Sequence, residues 1–428
     1  PAGAEEPASE SGPSLAAQVW RSARSRTWGR VSIRESFSTV YRSAPSAGGA
    51  DAEALRRYRG VAAAAREAGM RVMLTLFHHS VPEWLEATGG WLDPRAPDYF
   101  LAFAKNVARE LGDLVDFWVP FSEANLHVLR SACQDVWPPG ALQKARRTGA
   151  ACFASRRYAT AMAHVGQAHT AFYDWAHSLE SGLQEPRIGV AHAVALHKAS
   201  GLFQRLAKKR ISSVFQYGLI DDIKGHLDWL GLSYHGKWID GGDALAPTDT
   251  PTEEISETGE ILCPQGLLKV LLKFHRRYPH TDPALRFHSV VITEAGIADA
   301  TDMLRPAHLV EHLLAVREAQ RLGVPVHGFV YGAVSDGWEW ADGYCPKAGL
   351  VAVNRSAADL PRSRRDSFSL FANIARARAV TAAQREESWS LVRRASAQAL
   401  DRPLCSDRGR VPFAGNDWRL TLAAPPAA

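Results

Sequence analysis

The sequence predicts an α/β protein built as a (β/α)8 barrel that is incomplete at its N-terminal first strand. Three observations support this prediction. Strand-like and helix-like segments alternate from residue 51 to about residue 380. The strands are continuous apolar runs, which is typical of parallel sheets covered on both faces. Two of these runs end on a single glutamate followed by a turn, and chemistry in such barrels lies at the carboxyl ends of strands. A doubly wound sheet is the alternative.

The elements follow one another in a regular order. Asp51 can cap a helix in which Leu55, Tyr58, Ala62 and Ala65 recur at helical spacing. Six strands are predicted, at residues 72–77, 114–121, 188–196, 227–233, 290–293 and 326–331. Further helices are predicted at residues 98–110, 153–178 and 306–322.

The two ends of the chain have a different composition. Residues 1–14 are rich in Pro, Ala, Ser, Gly and Glu, which predicts a disordered leader. We assign residues 15–380 to the barrel, although residues 15–48 read either as a targeting-like segment or as an eroded part of that fold. Residues 30–33 are then the remnant of the second strand. Residues 381–428 are predicted to form a C-terminal extension on the outside.

Composition excludes several classes of function. The chain has 428 residues, 46% hydrophobic and 22% charged, and no apolar run approaches the ~20 residues of a membrane helix. A soluble intracellular protein is expected. The net charge of +5 is spread along the chain. A solvated surface explains it, with weak attraction to an anionic membrane surface as the alternative. No basic run is interleaved with aromatic residues, so nucleic-acid binding is not expected. The oligomeric state is open.

The cysteines and one histidine pattern concern metals and redox state. The five cysteines are odd in number, widely spaced and without a C-x-x-C pair, which indicates free thiols in a reducing compartment. His308, Glu311 and His312 match the H-x-x-E-H zinc-hydrolase pattern. The helix that carries them should face outward from the barrel, which favours a structural role over a zinc site.

Two glutamates are the strongest candidates for catalysis. Glu123 and Glu294 each follow a predicted strand and precede a turn. Taken singly, either could cap a helix or pair with an arginine. Together, at the same end of one barrel, they form the pair of carboxylates that cleavage of a glycosidic bond requires.

Other polar and aromatic residues follow neighbouring strands. His78 comes directly after the strand at 72–77 and can bind sugar hydroxyls, or can be a structural loop histidine. Trp338, Glu339 and Trp340 follow the last strand. Their rings can stack on a sugar and their carboxylate can accept hydrogen bonds from its hydroxyls. A hydrophobic rim is the alternative.

These motifs resemble those of glycoside hydrolase family 1, the β-glucosidase-type retaining enzymes. Residues 122–124 (Ser-Glu-Ala) match the family's Asn-Glu-Pro motif, and residues 293–296 (Thr-Glu-Ala-Gly) match its Thr-Glu-Asn-Gly motif. Residues 78–82 match the sugar-binding turn His-Trp-Asp-Leu-Pro. Residues 338–344 match the segment whose Glu and following Trp hold the sugar.

Within the family the chain is most similar to the galactolipid galactosyltransferases of the plant chloroplast outer envelope. This likeness is carried by the runs at 72–80, 311–315 and 347–353. It implies a sugar or galactolipid substrate, a chloroplast envelope location and peripheral contact with a membrane.

The resemblance implies a mechanism with defined roles. Glu294 attacks the anomeric carbon, and Glu123 protonates the leaving oxygen and then deprotonates the acceptor. The carboxyl groups are expected about 5–5.5 Å apart, and the pKa of Glu123 is expected to be raised. Water as acceptor gives hydrolysis, and a galactolipid headgroup gives transfer. No metal or organic cofactor is required. Arg30 is expected beside the nucleophile.

The chain departs from the family at several site positions. Ser122 replaces the Asn that bonds the sugar 2-hydroxyl, and Gly332 replaces a stacking Trp. Ala295 replaces the Asn after the nucleophile. His235 replaces a Tyr that supports the nucleophile, and it is expected to donate an N–H to Glu294. We place Ser122 and His235 among the substrate-binding residues. A catalytically impaired relative that binds sugar or galactolipid headgroups is therefore the second hypothesis, and an unrelated barrel enzyme or metal hydrolase is the third.

Overall fold

The structure is a computed structural model that describes residues 32–36, 50–133, 137, 156–198, 202–239, 253–283, 285–405 and 409–422. The leader predicted at residues 1–14 and the predicted nucleophile neighbour Arg30 lie outside the described residues.

One parallel sheet organises the molecule. Its seven strands are hydrogen-bonded in chain order, so each strand lies beside the next one in the sequence. The strands are β1 Ser32–Ser36, β2 Arg71–His78, β3 Phe117–Ser122, β4 Gly189–Lys198, β5 Trp229–Ile239, β6 Val290–Ala295 and β7 Val326–Tyr331. Cα atoms of the edge strands β1 and β7 come within 8 Å of each other. The sheet therefore curls into a barrel that is open along one seam.

The predicted fold class is confirmed. All six predicted strands are present as β2 to β7, with ends shifted by a few residues. Of the segment proposed as the remnant of a second strand, Ser32 and Ile33 lie in β1, which pairs with β2 in parallel; residues 30 and 31 lie outside the described residues. Within the described part of the chain no strand precedes β1, so the barrel is incomplete there.

Helices connect and cover the strands. Those described are α1 Ala52–Glu67, α2 Glu83–Glu86, α3 Ala96–Leu111, α4 Ala124–Val128, α5 Arg156–Ala176, α6 Leu202–Ile223, α7 Pro264–Arg277, α8 Arg305–Arg321, α9 Asp366–Ala377 and α10 Ala382–Ala397. As predicted, Asp51 caps α1, because its side chain accepts hydrogen bonds from the N–H groups of Glu53 and Ala54. No helix in the described ranges is both long and apolar enough to cross a bilayer.

Aromatic packing fixes the strands that lead to the site. Phe77 of β2 and Phe121 of β3 are fully buried, and their ring centroids lie 5.7 Å apart. Phe100 of α3 stacks on Phe121 at 4.5 Å. Removing such rings from water contributes about 25 cal/mol per Å². The ends of β2 and β3 are therefore rigidly placed relative to each other.

The C-terminal segment packs on the outside of α8. Glu311 is fully buried and accepts hydrogen bonds from the Arg385 guanidinium at 2.7 Å and the Trp389 indole at 2.8 Å. His308 and His312 stack with centroids 3.8 Å apart, and His312 Nδ1 contacts the His308 carbonyl. Glu311 of the H-x-x-E-H pattern therefore attaches α10 to α8. Its carboxylate already accepts hydrogen bonds from a guanidinium and an indole.

The prediction of free thiols is wrong for three cysteines. Cys345 and Cys405 form a disulfide with Cα atoms 5.7 Å apart. Cys133 is also disulfide-bonded. Cys263 is free. The spacing of the cysteines along the chain could not show that two of them, 60 positions apart, are in contact. Because these cysteines are bonded, the prediction of a reducing compartment no longer has support.

Two small hairpins complete the described structure. Strand β8 Val351–Val353 pairs with β9 Arg362–Arg364, and β10 Asp401–Pro403 pairs with β11 Arg410–Pro412. The disulfide joins the segment after β7 to the region between β10 and β11.

Candidate active site

The predicted site residues gather at the carboxyl ends of the strands. In the sheet register Ser122 lies opposite His78 of β2 and Ala191 of β4. Glu294 of β6 lies opposite Ser233 of β5. Because the carboxyl ends of parallel strands meet at one rim, His78, Ser122 and Glu294 share the same end of the barrel.

Glu123 stands at a sharp turn from β3 into α4. Its backbone is left-handed, with φ of +52°, and its N–H donates to the Ala191 carbonyl at 2.7 Å. A left-handed non-glycine residue costs on the order of 1–3 kcal/mol and is common at functional sites. The buried amide of Asn125 exchanges hydrogen bonds with the backbone of Ala193 on β4. The turn that presents Glu123 is therefore clamped to the neighbouring strand.

Two histidines contact the Glu123 carboxyl, which is only 3% exposed. His235 Nε2 lies 2.8 Å from Oε1, and His79 Nε2 lies 3.3 Å from Oε2. His235 therefore contacts the predicted acid/base, Glu123, and the expected contact between His235 and the predicted nucleophile Glu294 stays a prediction. His79, which the sequence analysis did not select, stands where the family has the Trp of its sugar-binding turn.

Charge pairing dominates the protonation of this cluster. Burial alone would raise the pKa of Glu123, but His235 and His79 outweigh it and lower this pKa well below its ordinary value. Burial alone would lower the pKa of His235, but Glu123 and Glu260 raise it well above its ordinary value. The expected raised pKa of Glu123 is therefore wrong, because a cationic partner at hydrogen-bond distance favours the carboxylate.

Glu260 is a second carboxylate beside His235. Its Oε1 lies 3.5 Å from His235 Nδ1. The segment at residues 253–262 reaches this position because Gly236, with φ of +70°, lets the Ile261 carbonyl come close. A Cβ at residue 236 would lie 2.4 Å from that oxygen. The Lys237 N–H holds the same carbonyl at 3.1 Å.

Glu294 is half-buried near the end of β6, beside Gly332. A Cβ at residue 332 would lie 2.8 Å from Glu294 Cγ and 3.3 Å from its Oε1. The neighbouring strands are tied together by the hydroxyls of Ser233 and Thr293, 3.1 Å apart. Gly332 itself therefore offers no aromatic ring beside this carboxylate.

Glu339 lies near the nucleophile, as the motif predicts. Burial, followed by the charges of Glu294 and Glu260, raises the pKa of Glu339 to about 7. Its loop is anchored by the buried Asp336, which pairs with Arg365 at 2.9 Å. A carboxyl that is half-protonated near neutral pH can both donate to and accept from a sugar hydroxyl.

Aromatic rings line the mouth of the site next to Glu123. The Trp340 ring lies 5.2 Å from that of His78 and 4.8 Å from that of His79. Trp137 packs on His79 at 4.6 Å. Trp338 is 47% exposed and therefore sits on the outer rim.

The histidine-rich end of β2 also has the composition of a metal site. Ligand atoms of His78, His79 and Glu123 lie within 4.8 Å of one another. The set would suit a metal that prefers imidazole and carboxylate ligands. A metal ion would have to compete with His235, which already occupies one Glu123 oxygen.

The site residues divide into those predicted and those missed. Glu123, His78, Ser122, Glu339 and Trp340 are brought to the same rim as Glu294, whereas Trp338 lies at its outer edge. Missed were the residues His79, Trp137 and Glu260. The doubled histidine at 78–79 was a usable signal for the first. The other two come from loops, where no periodic pattern marks them. The separation of 5–5.5 Å between the two catalytic carboxyls stays a prediction.

Comparisons with known proteins agree with this arrangement. Residues 30–202 and 199–380 match the sequence profile of glycosyl hydrolase family 1. The chain is 37% identical over 390 residues to the chloroplastic galactolipid galactosyltransferase SFR2 of Arabidopsis thaliana, covering 86% of this chain and 60% of that protein. It is 36% identical over 384 residues to the chloroplastic beta-glucosidase-like SFR2 of Oryza sativa subsp. japonica, covering 86% and 58%. The chain thus spans about three-fifths of the length of these plant relatives.

Solved structures show the same fold. The hyperthermophilic beta-glucosidase of Pyrococcus furiosus aligns with a TM-score of 0.66 at 27% identity, covering 79% of this chain and 73% of that one. The beta-glucosidase of Thermotoga maritima, in complex with noeuromycin, aligns with a TM-score of 0.70 at 19% identity, covering 86% of each. With two motif glutamates at one end of a parallel barrel and a profile match over most of its length, the chain belongs to glycosyl hydrolase family 1.

Proposed function

We propose that this chain is a retaining glycosidase-type enzyme that cleaves a β-glycosidic bond by double displacement. The observation that carries the proposal is the placement of Glu123 and Glu294 at the same end of the barrel, three strands apart in the sheet. Glu339 interacts electrostatically with Glu294 and Glu260, which links the two halves of the rim.

The chemistry proceeds in two balanced steps. A Glu294 oxygen bonds to the anomeric carbon while the bond to the leaving oxygen breaks, and that oxygen receives a proton through Glu123. An acceptor hydroxyl then attacks the glycosyl-enzyme and gives its proton to Glu123, which releases Glu294. The rings at the mouth, those of His78 and Trp340 among them, offer stacking surfaces for a sugar.

We propose a galactosyl group of a galactolipid as the substrate and a second galactolipid as the acceptor. This proposal is based on the similarity to the galactolipid galactosyltransferase of Arabidopsis thaliana, of which the chain covers 60%. Hydrolysis, with water as acceptor, is the alternative outcome of the same first step. Both plant relatives are described as chloroplastic, and we propose the same location, at the outer envelope and in peripheral contact with the membrane.

A second candidate function is binding without turnover. Two observations favour it. Gly332, where the family has a stacking Trp, supplies no aromatic ring beside Glu294. The Glu123 carboxyl is paired with His235 as an ion pair, which removes the proton that the first step needs from that carboxyl.

Mechanism-based labelling tests the attack by Glu294, and turnover of monogalactolipid then separates the proposed enzyme from a protein that only binds. A 2,4-dinitrophenyl 2-deoxy-2-fluoro-β-galactoside needs no acid assistance and should attach one sugar per chain, at the peptide containing Glu294. The control is Glu294→Gln, which should take up no sugar. An unlabelled but folded wild-type protein would contradict the proposed function. Thin-layer analysis of products from monogalactolipid then distinguishes transfer, which gives oligogalactolipids, from hydrolysis, which gives free galactose.

A further inference from the structure

An imidazole held between two carboxylates is the feature of this site that the family motif does not contain. His235 Nε2 lies 2.8 Å from Glu123 Oε1, and His235 Nδ1 lies 3.5 Å from Glu260 Oε1. Both ring nitrogens therefore face acceptor oxygens. A neutral imidazole has only one N–H, so when both carboxyls are ionised the two contacts are both satisfied only by a ring that carries two protons.

We propose that His235 stores the proton that Glu123 delivers to the leaving oxygen, with Glu260 holding the imidazole in place. This inference rests on the proposed function, because it concerns the first of its two steps. His235 acts through Glu123 and is therefore a positioning and proton-holding residue. In this role the pair, rather than Glu123 alone, is the acid and base of the reaction.

The proton that the His235–Glu123 pair loses in the first step is returned to it in the second. At rest the pair is an imidazolium and a carboxylate. One proton moves from His235 Nε2 to Glu123 Oε1 along their hydrogen bond, and the carboxyl then donates it to the leaving oxygen as Glu294 bonds to the anomeric carbon. The pair is left as neutral imidazole and carboxylate. In the second step the acceptor hydroxyl gives its proton to Glu123, and it returns to His235.

The other histidine on Glu123 is less suited to this role. His79 Nε2 lies 3.3 Å from Glu123 Oε2. Its Nδ1 is buried and has no hydrogen-bond partner among the described residues, so no second acceptor stabilises an imidazolium there. His235 has that second acceptor in Glu260.

Several other charged groups surround the pair and shape its titration. His235 itself is flanked on its own strand by Lys237, which is paired with Glu253. Glu260 also faces Glu339, which connects the pair to the nucleophile. Among the described residues, the titratable groups near the pair on the packed elements include His79 at the end of β2, His192 on β4, Glu260 in the 253–262 segment, and Glu339 and Asp342 in the loop after β7.

The test compares pH profiles of kcat/KM for wild type and His235→Gln, which keeps an amide toward Glu123 but cannot titrate. With an alkyl β-galactoside, whose leaving group needs a proton, we expect the alkaline limb to move to lower pH. We expect kcat/KM at pH 8 to fall by about 10²-fold or more. With a 2,4-dinitrophenyl galactoside the loss should stay within about threefold, because that leaving group departs unprotonated. The exposed His280→Gln is the matched control and should leave both profiles unchanged.

Opposite results would overturn the inference. They are an unmoved alkaline limb in His235→Gln, an equal loss with both substrates, or a gain in activity with the alkyl galactoside. Labelling of Glu294 by the fluorosugar separates this failure from failure of the proposed function, since it requires no proton donor. If His235→Gln does not fold, Glu260→Gln decides, because Glu260 is half-exposed. The alkaline limb of the Glu260→Gln profile should also move to lower pH, by a smaller amount than expected for His235→Gln. An alkaline limb that does not move in Glu260→Gln overturns the proposal.

Discussion

The Glu123–His235 pair links protonation to stability as well as to catalysis. The pKa of Glu123 is lowered from its ordinary value of 4.5, so its stabilising effect is present above pH 4.5 and is lost as pH falls through the folded-state value. The pKa of His235 is raised from 6.5, so its effect is complete below pH 6.5 and is lost as pH rises through the folded-state value. The pair therefore stabilises the fold most between about pH 4.5 and 6.5.

We expect His235→Gln to lower the free energy of unfolding most within this interval, by about 3 kcal/mol, as for other broken buried pairs. Urea unfolding of both proteins at pH 3.5, 5.5 and 9 measures the difference. Burial lowers the pKa values of His127 and His192 to about 3 and about 4. Both histidines are present in both proteins, so their contributions to the pH dependence cancel in the difference. A difference that does not vary with pH would contradict the pairing.

Gly332 controls the space beside the nucleophile. A Cβ there would lie 2.8 Å from Glu294 Cγ, so Gly332→Ala must displace the carboxylate. We expect the rate of fluorosugar labelling to fall about 10- to 100-fold, because small displacements of a nucleophile are costly. Gly337→Ala is the matched control, since its Cβ would meet only the Ser335 carbonyl, at 4.0 Å. Equal labelling rates in the two variants would show that Glu294 can move freely.

The sequence predicted site residues wherever a strand end carried them. Glu123 and Glu294 follow apolar runs, and the parallel register brings such positions to one rim. It could not predict that His235 contacts Glu123, because that contact depends on how side chains cross the barrel. Glu260 was missed because its position depends on one close approach at Gly236. The error about the Glu123 pKa follows from the same unseen contact.

At the scale of elements, the loop after β7 is held at both ends. Asp336 anchors its start through Arg365, and Cys345 joins it to Cys405. The disulfide closes a loop of about 60 residues, which in the chain-entropy account contributes about 4 kcal/mol. Glu339 and Trp340 lie between these two anchors, so the geometry of the sugar site depends on both.

We expect Cys345→Ser to lower the free energy of unfolding by about 2–4 kcal/mol and to increase amide hydrogen exchange between residues 337 and 349. Cys263→Ser is the control, because Cys263 is a free thiol and should leave exchange in this loop unchanged. Protection that is unaffected by Cys345→Ser would mean that Asp336 and its partners alone fix the loop.

The elements themselves were largely predictable, because each strand is a continuous apolar run and each long helix has an apolar face. Strand β7 was predicted with its observed ends. Strand β1 was only suspected, since four of its five residues are polar and no apolar run marks it, and its order comes from pairing with β2. The disulfide was beyond prediction from one sequence.

At the scale of the whole molecule, Glu311 holds the C-terminal segment on the barrel. Its carboxylate binds Arg385, Trp389 and the Leu420 N–H. Breaking a buried pair leaves uncompensated partners and costs about 3–5 kcal/mol. The short pattern at residues 308–312 resembles a zinc-binding motif. Its glutamate instead attaches the C-terminal segment, which lies about 75–110 residues further along the chain.

We expect Glu311→Gln to make the region near residues 380–420 sensitive to limited proteolysis while the barrel remains folded, with an unfolding free energy lower by about 3 kcal/mol. Glu386→Gln is the control, because its pair with Arg393 lies on the surface, and surface pairs contribute about 0–1 kcal/mol. Equal resistance of the two variants would contradict the role of Glu311 as the anchor.

The lack of a side chain at Gly236 affects the position of a charged group, Glu260. It touches no sugar and bears no charge, yet only a hydrogen atom at this position leaves room for the carbonyl that brings Glu260 to His235. A single added methyl group would clash with the Ile261 carbonyl and push the 253–262 segment away from β5. An uncharged change at the residue next to His235 would then shift the pH range in which this protein works.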